Sequence, residues 1–151
     1  MTKQDFGWET CVSDGKIDGA VVREGSAIVE DFIARWSAAF NRLDAGALSA
    51  LYSEQALFYG SVPTLFRGRE GVASYFNGLP RYVSPTVDFS DVVVTRINAG
   101  LVNMAGKATF LPEADRLPLP VKITWIIANE ADGWHIISHH VSPIEPLLKR
   151  D

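Results

Sequence analysis

The side chains best able to do chemistry lie in one short stretch: His135, His139 and His140, all three histidines of this 151-residue chain. Imidazole gives or takes a proton near neutral pH and is also a common metal ligand. Their spacing argues against a shared metal. On a strand, His139 and His140 point to opposite faces. His135 and His139 would share a face but stand about 13 Å apart, at roughly 3.3 Å per residue, whereas one metal needs its ligands near 2 Å. No metal site is expected. His139 alone is the candidate general acid or base. Tyr59, Asn103 and Lys107 are the polar side chains expected beside it to orient a ligand, with Lys107 able to hold one carboxylate. Trp36, Tyr59 and Trp125 are the aromatic side chains expected to touch a ring compound. The plainer reading of His139 is a core histidine, its nitrogens satisfied by backbone or by a tyrosine hydroxyl. No serine sits in a nucleophile-elbow pattern, and no glycine-rich loop could cradle a phosphate. No cofactor is therefore expected.

The elements that must position these residues can be read from periodicity. Residues 1–25 have weak periodicity and read as an arm. From Ser26, a plausible cap, Ile28, Phe32, Trp36, Phe40 and Leu43 recur at helical spacing. Asp44 caps a second short helix bearing Leu48, Leu51 and Tyr52. Residues 56–59 and 65–67 read as strands, and 68–79 as a third helix closed by Pro80 and Pro85. Four strands follow, at 86–97, 101–111, 121–129 and 134–141, with turns at Asn98-Ala99-Gly100 and Ala131-Asp132-Gly133. Helices first and an antiparallel sheet after predict an α+β domain over residues 26–146, with 147–151 as a tail.

Alternation along the strands predicts two faces. One carries Leu101, Asn103, Ala105, Lys107 and Thr109 with Ile123, Trp125, Ile127, Ile137, His139 and Val141. The other carries Val102, Met104, Ala108, Phe110, Thr124, Ile126, Trp134, Ile136 and His140. Both are substantially apolar, and three helices cover only one. A second copy of the chain is the simplest cover for the other, so a homodimer is expected. A net charge of −4 argues against nucleic acid as a partner. The single cysteine, Cys11, cannot form an internal disulfide. No apolar run reaches the roughly 20 residues that span a bilayer. A cytoplasmic protein, not membrane-bound, is the expectation.

Two stretches resemble the nuclear-transport-factor-2-like superfamily, which includes SnoaL-like and ketosteroid-isomerase-like proteins. One is Trp36-Ser37-Ala38-Ala39-Phe40-Asn41-Arg42-Leu43-Asp44, followed by Leu48, Leu51-Tyr52, Phe58 and Phe66-Arg67-Gly68-Arg69-Glu70-Gly71. The other is Asp132-Gly133-Trp134-His135-Ile136-Ile137 with His139-His140-Val141-Ser142-Pro143. The second is especially similar to the association domain of calcium/calmodulin-dependent kinase II and its bacterial relatives. The resemblance implies a cone of three N-terminal helices on a curved sheet, with a cavity between the first helix and the concave face and dimers through the convex face. It also implies what is missing. Trp36 stands where the isomerases carry a tyrosine, and Gly60 where they carry the carboxylate base. Trp125 and Val141 stand at two of the three arginine positions of the association-domain pocket, and Lys107 at the third.

These readings together predict an association-domain-like dimer that binds a small, largely apolar or weakly anionic ligand in its cone. The alternative is an enzyme of the cyclase, isomerase or dehydratase kind that uses His139 as general acid or base.

Overall fold

In the computed structural model of the protein, residues 19–148 are described. Residues 1–18 of the expected arm and 149–151 of the expected tail lie outside the described residues. The order of elements is α1 (Gly19–Asn41), α2 (Ala45–Ser49), β1 (Tyr52–Tyr59), β2 (Leu65–Arg67), α3 (Gly68–Asn77), β3 (Thr86–Asn98), β4 (Leu101–Leu111), β5 (Leu119–Glu130) and β6 (Gly133–Pro143). The expected α+β order is the observed one. Two boundaries differ. Helix α1 starts at Gly19, so Ser26 is buried within it rather than capping it. Strand β1 starts at Tyr52, which places Tyr52 in the sheet and not on α2.

Helix α1 turns Val29, Phe32, Trp36, Ala39 and Phe40 to the core, the three-and-four spacing of one helical face. Asp44 caps α2 as expected, its Oδ1 accepting from the Ala47 amide at 2.9 Å. The six strands run in the order β2-β1-β6-β5-β4-β3. β3 to β6 form the expected antiparallel meander. β1, however, lies parallel to β6, so the sheet is mixed. This pairing brings the N-terminal half back against the last strand, and it sets Phe58 beside His139.

The register corrects the expected faces. Met104 pairs with Trp125, and Trp125 with His139. The even-numbered residues of β4 therefore share the inner face with Trp125, and Val102, Met104 and Ala108 are buried there. Asn103 and Lys107 point to the other, open face. In β6 a register shift leaves Ile137 unpaired between Ile136 and Ser138. The extra residue turns Ile136 inward in place of Ile137 and takes His135 off His139's face.

One glycine is demanded by the chain path. Gly68, at the start of α3, has φ +66°, and a Cβ there would lie 2.7 Å from the backbone oxygen of Glu54. Both the backbone conformation and the close approach favour glycine. Gly68→Ala should destabilise the fold by about 1–3 kcal/mol. Urea unfolding measures this, and an unchanged midpoint would contradict the account.

Candidate functional site

A cavity of about 150 Å³ opens between α1, α3 and the inner face of the sheet. Trp36 and Phe40 come from α1, Phe58 from β1, Tyr75 and Phe76 from α3, Phe110 from β4 and His139 from β6. Aromatic rings fill its surroundings. Trp36 stacks on Phe40 at 5.5 Å between ring centroids and meets the edges of Phe76, Phe89 and Phe110 at about 6 Å. Among the described residues no Asp, Glu, Lys or Arg lines the wall.

Of the six residues singled out from the sequence, three come together. Trp36, Trp125 and His139 are all buried on the inner face. Trp36 and His139 line the cavity, and Trp125 stands behind His139 without reaching the wall. The other three do not join them. Tyr59 is 41 % exposed and pairs with His140 on the open face, because its neighbour Phe58 takes the inward position. Asn103 lies opposite Ile126 and Thr95 on the open face. Lys107 is half exposed and forms an ion pair with Asp91 at 3.2 Å. The expected polar neighbours of His139 are thus replaced by others.

His139 is held by a chain of four side chains. The Trp36 Nε1–H donates to the Tyr52 hydroxyl at 2.9 Å. The Tyr52 hydroxyl lies 2.7 Å from His139 Nδ1. The Trp125 Nε1–H donates to the same Nδ1, also at 2.9 Å. An indole N–H can only donate. The Tyr52 oxygen therefore accepts from Trp36 and sends its own proton to His139. Nδ1 receives two donors and carries no proton, so the proton of the neutral ring is on Nε2. A carbon in the place of Nδ1 would leave both donors unanswered, which settles the ring orientation.

Electrostatics keep the chain neutral. Burial, with a smaller contribution from neighbouring His140, pushes His139 down to about 3. Burial pushes the Tyr52 hydroxyl well above its ordinary range, so it remains a donor. At neutral pH His139 is an uncharged imidazole whose basic nitrogen is occupied. It can offer an N–H, but it cannot readily take a proton.

Gly60 is also at the wall. A Cβ on Gly60 would lie 2.4 Å from the Tyr75 ring. The Tyr75 hydroxyl accepts from the Ser61 amide at 2.9 Å and is 2.8 Å from Ser61 Oγ. Tyr75 thus fills the space that a side chain at position 60 would occupy.

A second, polar cluster lies at the β5–β6 turn. The ligating atoms of Glu130, Asp132 and His135 are all within 4.8 Å of one another. Histidine spacing alone had overlooked this grouping, since two of its members are carboxylates. The Arg69 guanidinium sits against it, 3.3 Å from His135 Nε2 and 3.7 Å from Asp132. Ser53 donates to Glu130 at 2.8 Å. Arg69 Nε also donates to the Tyr52 backbone oxygen at 2.7 Å, so the cluster ties α3 and β6 to β1. His135 Nδ1 faces Glu130 Oε1 at 3.1 Å and Asp132 Oδ1 at 3.6 Å, and Arg69 approaches the ring from its other nitrogen.

The three helices on a mixed, mostly antiparallel six-stranded sheet define a cystatin-like, nuclear-transport-factor-2-like cone. Residues 29–146 match the SnoaL-like domain model, and the chain belongs to that family. No curated protein matches it by sequence. A candidate calcium/calmodulin-dependent protein kinase II association domain from Xanthomonas campestris is similar in fold, with TM-score 0.70, 18 % identity, and 91 % of this chain and 94 % of that chain covered. A candidate scytalone dehydratase from Novosphingobium aromaticivorans has TM-score 0.75 at 10 % identity, covering 85 % and 89 %. A ketosteroid isomerase-like protein from Erwinia carotovora atroseptica has TM-score 0.60 at 20 % identity, covering 80 % and 96 %. At these identities the likeness is one of fold.

The neutral state of His139 has a consequence for stability. An unfolded chain protonates this ring below about pH 6.5, while the folded protein does not until about pH 3. The unfolded state therefore binds more protons between these values, and stability falls as pH drops through that window. Between pH 7 and pH 5 this ring alone should remove about 2 kcal/mol, seen as a lower urea midpoint. The His139 ring nitrogens should stay flat over the same range in a ¹H–¹⁵N NMR titration. A His139 midpoint above pH 5 would overturn the assignment.

Proposed function

We propose that this protein is a binding module that holds one small, neutral, single-ring molecule in its cone and works as a homodimer. The supporting observation is the cavity itself: about 150 Å³, aromatic, and free of charged side chains. An apolar cavity of about that size in another protein admits benzene. Pockets for drug-sized molecules begin at roughly 300 Å³, so a fused-ring steroid is too large. A weakly anionic ligand finds no support either, since no cation lines the wall and Lys107 is paired with Asp91 on the open face.

The enzyme reading requires His139 to move protons. Its Nδ1 is occupied by two donors, its Nε2 already carries the proton, and no carboxylate stands in the cavity to serve as base. Binding is therefore the better-supported role, although similar folds include proteins described as dehydratase and isomerase-like.

For the dimer, the support is the composition of the open face. On β1, β6 and β5 it carries Tyr59, Ser138, His140, Thr124 and Ile126, with Lys122 beyond Thr124 on β5. Leu57 and Tyr59 are large and exposed there. A charge-poor centre with an aromatic residue is the usual make-up of an interface core. A second copy provides the same surface and so a self-complementary match.

Two measurements test the reading. Titrating toluene should give saturable NMR shifts confined to cavity residues, and Val141→Phe, which adds bulk to the wall, should abolish them while the fold persists. Absence of saturable binding in the parent protein would sink the ligand half. Light scattering at micromolar concentration should return about twice the 16.6 kDa chain mass, and a monomer would sink the dimer half.

A further inference from the structure

We infer that His139 selects ligands bearing a hydrogen-bond acceptor, a single-ring aromatic ketone or aldehyde being the fitting class, because Tyr52 and Trp125 lock its ring with Nε2–H turned to the cavity. This inference rests on the binding reading above and specifies what the cavity prefers.

Both donors to His139 converge on Nδ1. Nε2 is on the other edge of the ring, and His139 is part of the cavity wall. Among the described residues nothing is hydrogen-bonded to Nε2. It is also not sealed in the interior without a partner, as Arg96 Nη1 is. An N–H turned toward an apolar space favours an acceptor from the ligand, since leaving it unpaired costs free energy. A ligand that could only donate would find no lone pair here, because Nδ1 is already engaged twice.

Of the other polar groups of the wall, Ser61 and Tyr75 are bonded to each other and lie toward solvent, and the Tyr82 hydroxyl belongs to a half-buried side chain. His139 is 3 % exposed and is the buried polar side chain of the wall. The rest of the surface is aromatic or aliphatic, suited to a ring rather than to a second polar group. Tyr52 and Trp125 act as positioning residues. Trp36 adds to the lock by donating to the Tyr52 oxygen, which holds the hydroxyl beside His139.

Acetophenone and α-methylstyrene test this, being nearly identical in size and differing by a carbonyl in place of an alkene. A plain apolar cavity would favour the alkene by roughly ten- to a hundred-fold, because an unpaired carbonyl loses its hydration. With Nε2–H as partner, acetophenone should bind at least as tightly as the alkene. Acetophenone should also move the His139 Nε2–H resonance, and the alkene should not. Tighter binding of the alkene, or a free-protein spectrum with the proton on Nδ1, overturns the selection while leaving the cavity as a binding site. If neither compound binds, the binding reading itself fails, and this inference with it.

Discussion

The hydrogen-bonded chain from Trp36 through Tyr52 to His139, joined by Trp125, is the constraint on which the rest of the interior depends. Its four members come from α1, β1, β6 and β5. Each of these polar atoms is buried, so each must be paired within the protein. The pairing has one consistent direction. Two indoles can only donate, one hydroxyl relays, and one imidazole nitrogen collects. Any packing that displaced a member would strand at least one donor in an aromatic interior, at a cost of about 1–3 kcal/mol. Apolar side chains alone would tolerate sliding between α1 and the sheet. This chain does not, and it is what makes the cone's inner wall a defined surface.

That constraint also decides what the cavity can do. A histidine among carboxylates would be a base; here it is surrounded by rings and donors, so it stays uncharged. The same burial that removes its acid–base use makes its remaining N–H more valuable to a ligand, since a hydrogen bond in a dry environment is felt strongly. Gly60 and Tyr75 complete the picture. In a cone that carried its base at this position, side-chain space would be needed at the mouth. Here Gly60 leaves it and the Tyr75 ring takes it, pinned by Ser61. The wall is neutral by construction at two separate points.

Much of this fold is legible in the sequence. The apolar recurrence from Ile28 to Leu43, the Asp44 cap and the four late strands all have local signals, and each local preference agrees with the tertiary outcome. The parallel pairing of β1 with β6 has no local signal, because it joins residues some 80 positions apart. The site is less legible for a related reason. Counting alternate residues places Lys107 and Asn103 on the face of Trp125 and His139, but counting gives the faces of one strand and not their phase against the next. A clue was present in β4. Val102, Met104, Ala108 and Phe110 are all apolar, whereas the alternate set contains Asn103, Lys107 and Thr109, which marks the latter as the side away from the helices. In β6 the bulge at Ile137 changes the phase midway, which no alternation rule anticipates. Tyr52 was visible as an aromatic residue. Its role as a relay depends on β1 lying beside β6, and so could not be read from its neighbours.

The separation of charge from the cavity follows from the same topology. The β5–β6 turn gathers Glu130, Asp132 and His135, a set that by composition alone could hold a cation. Arg69 comes to it from α3, and its Nε is anchored on the Tyr52 carbonyl. The guanidinium thus satisfies a backbone oxygen on β1 and faces the acidic turn at once. Tyr52 is therefore held at both ends, by Arg69 at its backbone and by Trp36 and His139 at its hydroxyl. Charged groups clamp the strand from outside while neutral donors order it from inside. The cavity can remain uncharged because the charges that stabilise its frame are placed beyond the wall.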